Sequence, residues 1–269
     1  MKKALALIVS AICVFYGAEA FATPSTHIWA PSTDVQAYLV PHVTYDVYIP
    51  VKSGDDVVGG NTGSRPAVIT NIGLTVGVLP YEKLQLELGF DHITGFSFFS
   101  SGDLDDTPIY FNAKLGVPEG ALGANMPALA IGSYMLGTNS GGEARAGEIP
   151  EPGTDFNVHY AKVAKTFGSF GRLSAGYYTG NKALLVDENG KEDASGILLC
   201  WERTMSEISD KLGVAVDYMG GDNSFGALSY GGSWKFSPKV SVIAAYVDQN
   251  NDDLFFIEDW FTLQADIDF

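Results

Sequence analysis

Apolar and polar residues alternate with a period of two along most of this chain. The cleanest run is 83–94, where Leu84, Leu86, Leu88 and Phe90 face one way and Gln85, Glu87, Gly89 and Asp91 the other. The same pattern recurs at 38–50, with Val43, Tyr45, Val47 and Ile49 set against His42, Thr44, Asp46 and Tyr48. Further runs fall at 68–78, 109–116, 128–135, 173–180, 197–202, 213–219, 227–236, 243–248 and 260–269. Strict alternation is the mark of a strand with one apolar and one polar face. The stretch 155–165 is ambiguous, because either parity turns Lys162, or His159 and Lys165, toward the apolar side. Pro41 falls within the first run, where it removes a ladder hydrogen bond. Together these runs predict about twelve antiparallel strands of roughly 9–13 residues, the length a tilted strand needs to cross a bilayer.

The connections alternate in length. Those at 52–65, 97–106, 138–154 and 181–194 are long and polar, whereas those at 79–82, 167–170 and 237–239 are tight. The connection at 117–126 breaks the alternation. Short turns at one end and long loops at the other are expected of an up-and-down transmembrane barrel, and an even strand count brings both ends of the barrel to one side. Aromatics cluster near strand ends (Tyr81, Phe90, Trp201, Phe236, Phe261, Phe269), as membrane-interface girdles do.

The last strand carries the most specific signal. Phe261, Leu263, Ala265, Ile267 and Phe269 form one face, Thr262, Gln264, Asp266 and Asp268 the other, and the chain closes on an aromatic. Here it resembles bacterial outer-membrane β-barrel proteins of the porin-like kind, whose last strand typically ends in Phe. The resemblance rests on pattern and carries no family-specific functional motif. It implies an all-β fold, a Gram-negative outer-membrane location, lipid and lipopolysaccharide around the barrel, and insertion by the barrel assembly machinery. The competing reading of the tail alone is the edge strand of a soluble sandwich.

Composition agrees with a barrel. Among 269 residues, 46% are hydrophobic and 31 are Gly, yet mean hydropathy is only +0.09, because each strand offers half its residues to lipid. The one continuous apolar run is N-terminal: Lys2 and Lys3 precede residues 4–16, and small residues at Ala18, Ala20 and Ala22 offer cleavage sites. This reads as a secretory signal peptide, 1–22, cut after Ala22. Ile12 before Cys13 speaks against a lipoprotein anchor. The expected division is then a leader at 1–22, a periplasmic lead-in at 23–37 and a barrel at 38–269. In the Pro- and Ser-rich lead-in, His27 and Trp29 read as a packed plug or an interface anchor. Removal of the leader leaves Cys200 as the only cysteine, so no internal disulfide is possible and the thiol reads as a small buried filler. The formal charge of −16 argues against nucleic acid.

Chemistry is sparse. No G-x-S-x-G, H-E-x-x-H or paired-Cys motif occurs, so no catalytic, metal or cofactor residue is assigned. Acidic clusters in the outer loops could hold divalent cations against lipopolysaccharide, although none has calcium-loop spacing. Parity places Asp46, Glu87, Asp91, Lys114, Glu202, Asp217 and Asp248 in the lumen, with Tyr48, Tyr110, Tyr134, Tyr178 and Tyr246 able to narrow it. The expected function is a passive channel for small solutes with an acid-rich, cation-leaning lumen. Two alternatives remain: a structural or adhesive barrel that passes nothing, and a lipid-modifying enzyme around His92 on the lipid face, with Thr94, Ser97 and Ser100 nearby in sequence.

Overall fold

The computed structural model describes residues 26–51, 68–95, 108–140, 153–251, 253–254 and 259–269. The expected leader at 1–22, the connections expected at 52–65 and 97–106, and most of the one expected at 138–154 lie outside the described residues. Twelve strands follow one another: β1 (Pro41–Pro50), β2 (Ile69–Gly77), β3 (Gln85–Thr94), β4 (Ile109–Val117), β5 (Ala128–Leu136), β6 (Val158–Thr166), β7 (Arg172–Thr179), β8 (Ser195–Thr204), β9 (Leu212–Met219), β10 (Ala227–Ser237), β11 (Val240–Gln249) and β12 (Trp260–Asp268). A single 3₁₀ turn, Gly168–Phe170, sits between β6 and β7. Each strand pairs antiparallel with its sequence neighbours, and β1 pairs with β12, from His42↔Asp268 to Pro50↔Trp260, to close the barrel. Closure leaves no strand edge, which is what lets a sheet cross lipid with its backbone polar groups satisfied. Pro41 is tolerated because it opens β1, where its missing N–H breaks no central ladder bond.

The outer face is a belt of exposed large apolar side chains, including Tyr45, Ile72, Leu88, Phe111, Ile131 and Leu263. In water such a belt would be an aggregation surface; in a bilayer it is the lipid-facing wall. Register makes the belt continuous. Across β5 to β8, Leu129, Val163, Ala175 and Leu199 form one outward row, and Ile131, Ala161, Tyr177 and Ile197 the next. One step nearer the long loops comes a polar row, Ser133, His159, Thr179 and Ser195.

The ambiguous stretch is β6. Lys162 points inward and is 3% exposed, while His159 and Lys165 point outward, Lys165 reaching Glu119 at 2.9 Å beyond the turn end of the wall. Near the loop end of β5 the alternation breaks. Met135 adopts a φ of +52°, the register with β4 slips between Phe111 and Ala113, and Met135 turns into the interior instead of following Ile131 and Ser133 outward. A bulge of this kind re-aims one side chain without ending the strand.

The assumption that apolar residues face out fails on β11. Ile243, Ala245 and Val247 are buried inside the barrel, and Tyr246 and Asp248 face outward. Asp248 stands opposite the outward Leu228, and Tyr246 lies against Tyr230 with ring centroids 5.7 Å apart. Asp248 is therefore not a lumen residue. The cause is local: at this height the interior is filled with apolar side chains, so the apolar face of β11 is the one turned in.

Candidate functional site: a plugged lumen

The interior is occupied by residues 26–37, the segment that precedes β1. Expected as a periplasmic lead-in whose His27 and Trp29 form a packed plug or an interface anchor, this segment lies within the barrel, with His27, Ile28, Ala30, Ser32, Thr33 and Gln36 all buried. It doubles back on itself: Thr26 and Pro31 form an isolated bridge, and the His27 N–H donates to the Ala30 carbonyl at 2.9 Å. Such a short, Pro-containing segment has few backbone bonds of its own, so the wall must supply partners for its buried polar groups.

The inward residues of the strands do so. The Asp217 carboxylate on β9 accepts the N–H groups of Ile28 (2.7 Å), Trp29 (3.1 Å) and Ala30 (3.3 Å). Glu87 on β3 accepts the Gln36 N–H at 2.6 Å and pairs with Lys114 on β4 at 3.0 Å. Lys114 Nζ also donates to the Asp34 carbonyl at 2.6 Å, and Lys162 Nζ on β6 donates to the Pro31 carbonyl at 2.7 Å. Arg172 on β7 grips Asp34 at 2.8 Å and Thr33 Oγ1 at 2.5 Å, and lies 3.3 Å from Glu202 on β8. Glu202 in turn lies 3.2 Å from His27 Nδ1, and Gln264 on β12 donates to the Ile28 carbonyl at 2.9 Å. Buried charges and amides are thus matched to backbone groups that would otherwise be orphaned.

Two glycines make room for the segment. A Cβ on Gly77 would collide with the carbonyl oxygens of Gln36 and Ala37, and one on Gly116 would meet Val35 Cγ2 at 2.5 Å.

Above the hairpin, toward the long loops, the bore is apolar and aromatic. Trp29 packs edge-on against Tyr48 (5.6 Å) and donates its indole N–H to the Phe225 carbonyl at 2.9 Å. Tyr134 meets Tyr160 and Phe225, each at 6.1 Å, and Phe156 meets Phe225 at 5.4 Å. Of the five tyrosines assigned to the lumen, Tyr48, Tyr110, Tyr134 and Tyr178 are inside and Tyr246 is outside. Toward the turn end the interior opens into a cavity of about 730 Å³, lined in part by Arg172, Glu202, Gly213, Gly231 and Ser233.

Of the lumen candidates, Glu87, Lys114, Glu202 and Asp217 converge on the plug or on groups that hold it. Asp46 and Asp91 form a separate group on β1 and β3. Asn71 donates to both carboxylates, at 3.2 and 3.0 Å, while Thr44 donates to Asp46 and Asn112 to Asp91. Beside them His42 pairs with Asp266 (3.3 Å) and Asp268 (2.9 Å). The sequence places His42, Gln264 and Asp266 on polar faces without marking them as lumen residues, leaves Lys162 open, and passes over Arg172, which parity with the buried Ser174 turns inward. Among the described residues, no group of three or more His, Cys, Asp or Glu side chains is placed to hold a metal ion.

His92 faces outward on β3, but its nearest hydroxyl in sequence, Thr94, is engaged with Thr70 at 2.9 Å, and Ser97 and Ser100 lie outside the described residues. At the turn end, outside the membrane wall, burial would raise the Glu119 pKa. Hydrogen bonds from Lys165 and from the side chain and backbone of Thr166 outweigh that and hold it below the ordinary value of 4.5.

No protein-family model and no curated protein matches the chain. Among solved structures it is similar to an outer membrane channel from Pseudomonas putida F1, with 14% identity, 87% of this chain and 97% of that chain covered, and a TM-score of 0.48. It is also similar to a mutant Rh. blastica porin (11% identity, 86% and 100% covered, TM-score 0.38) and to Salmonella typhi OmpF in complex with daunomycin (8% identity, 86% and 97% covered, TM-score 0.38). These values carry no argument about this chain's kind. Its own geometry shows a closed, up-and-down, twelve-stranded antiparallel β-barrel whose bore is filled by residues 26–37.

Proposed function

We propose that this chain is an outer-membrane channel for small solutes whose bore is closed at rest by residues 26–37. The observation that carries the reading is the seating of this segment on charged wall residues, Asp217 and Arg172 foremost. A barrel meant only as a rigid membrane element could fill its core with apolar side chains, as small barrels do. Here the core is a separable piece of chain, held largely by polar contacts that water can replace. Release of the segment would bare Asp46, Glu87, Asp91, Glu202 and Asp217 together with Lys114, Lys162 and Arg172, leaving acids in excess and a lumen that leans toward cations.

The test is conductance of the purified barrel in a planar bilayer, with and without residues 26–36. The full chain should show small or rare openings, and the shortened chain larger and steadier ones with a reversal potential favouring cations. A shortened barrel that folds and inserts yet conducts no better than the full chain would end this reading.

A further inference from the structure

On the outer wall, Ser133 of β5 and His159 of β6 face each other directly across the strand pair, with Ser133 Oγ 2.7 Å from His159 Nδ1. Neither belongs to the lumen, and the channel reading uses neither. Both stand in a polar row on β5 to β8, one step loopward of Ile131 and Ala161, with Thr179 and Ser195 completing the row. Directly below lie Ile131, Ala161 and Tyr177, the last two flanking the same stretch of β6 and β7. On neighbouring β4 the apolar wall runs one step farther, to Phe111, so the pair stands at the loop-side margin of the belt, and a bilayer laid against that belt puts its ester linkages near this margin. A hydroxyl within hydrogen-bond reach of an imidazole is the nucleophile–base half of the signature of acyl-transfer chemistry.

We infer that Ser133 and His159 form a lipid-facing dyad that cleaves the fatty-acyl esters of membrane lipids. With the imidazole proton on Nε2, His159 Nδ1 takes the Ser133 hydroxyl proton as Oγ bonds to the ester carbonyl carbon. The carbonyl–alkoxy bond then breaks, and the imidazolium returns the proton to the departing alcohol. Water, deprotonated by the same nitrogen, splits the acyl-serine, so that one ester and one water become one acid and one alcohol. No cofactor or redox partner enters. The inference needs the membrane placement of the barrel but not its conduction: a barrel that conducts nothing could still carry the dyad, and the reverse.

The full chain is reconstituted in phosphatidylethanolamine vesicles and treated with a long-chain fluorophosphonate, and the adduct is located by mass spectrometry. Release of fatty acid is followed in the same vesicles and, separately, in vesicles containing lipopolysaccharide. This tells a glycerolipid ester from a lipopolysaccharide ester as the source. Expected are an adduct on Ser133, its loss in Ser133→Ala, and labelling and fatty-acid release lowered about 100-fold or more in His159→Ala and His159→Gln, as removal of a general base requires. Heat-modifiable migration in gel electrophoresis confirms that each variant is folded. No adduct on Ser133 in the folded wild-type barrel, or equal labelling after loss of the imidazole, overturns the inference and leaves the pair as a polar contact at the headgroup boundary.

Discussion

Asp217→Ala should release the plug. The Asp217 carboxylate is 1% exposed and accepts the backbone N–H groups of Ile28, Trp29 and Ala30 at 2.7, 3.1 and 3.3 Å. A hydrogen bond to a charged group contributes about 1.5–3 kcal/mol net, and a buried donor left without a partner costs about 1–3 kcal/mol. The longest of the three bonds is worth least, and no longer burying a carboxylate in the wall offsets part of the loss. A weakening of plug docking by about 3–5 kcal/mol follows. At 1.4 kcal/mol per tenfold, the docked-to-released ratio falls by roughly 10²–10⁴. Two assays read this. Open probability in a planar bilayer should rise. Chymotrypsin should also cut after Trp29, which is packed on Tyr48 and Phe225 while the segment is seated. Asp217→Asn keeps an acceptor oxygen and should fall between. If the folded Ala variant matched the wild type in both conductance and Trp29 cleavage, the idea that this carboxylate clamps the segment would be wrong.

Two further outcomes follow from the wall. Leu88→Arg puts a charge in the lipid-facing belt between Val76 and Ala113 and should lower the folding free energy in vesicles by about 2–4 kcal/mol, measured by equilibrium denaturation; an unchanged value would mean that Leu88 does not face hydrocarbon. Glu119 should link stability to pH. Its pKa is held below the unfolded value of 4.5, so its contribution is fully present above that value and is lost as pH falls through the lower folded value. Glu119→Gln should flatten this part of the unfolding-midpoint profile, and a profile identical to wild type would show that the Lys165 and Thr166 contacts do not hold the carboxylate.

Much of the wall was legible because a strand's side chains alternate with a period fixed by covalent geometry. Residues 83–94 and 260–269 announce both their type and their faces, and eleven of the twelve strands take the parity that simple alternation suggests or, for β6, one of the two parities it leaves open. Asp46, Glu87, Asp91, Lys114, Glu202 and Asp217 follow from that parity alone. Local sequence has less to say where backbone conformation departs from the ladder, as at Met135, whose left-handed φ reverses the faces at the end of β5.

What sequence alone determined was the pairing scheme and the two faces of each strand. Only the closed structure decided which face met what. On β11 the apolar face turned inward because Ile28 and Trp29 fill the bore beside it, and this put Asp248 outside. The plug itself left no periodic signal at 26–37, because its partners are scattered over strands from β1 to β12 and meet only when the cylinder closes. Alternation is a property of neighbouring residues, whereas the contents of a lumen depend on contacts between residues more than 180 positions apart, such as Ile28 and Asp217.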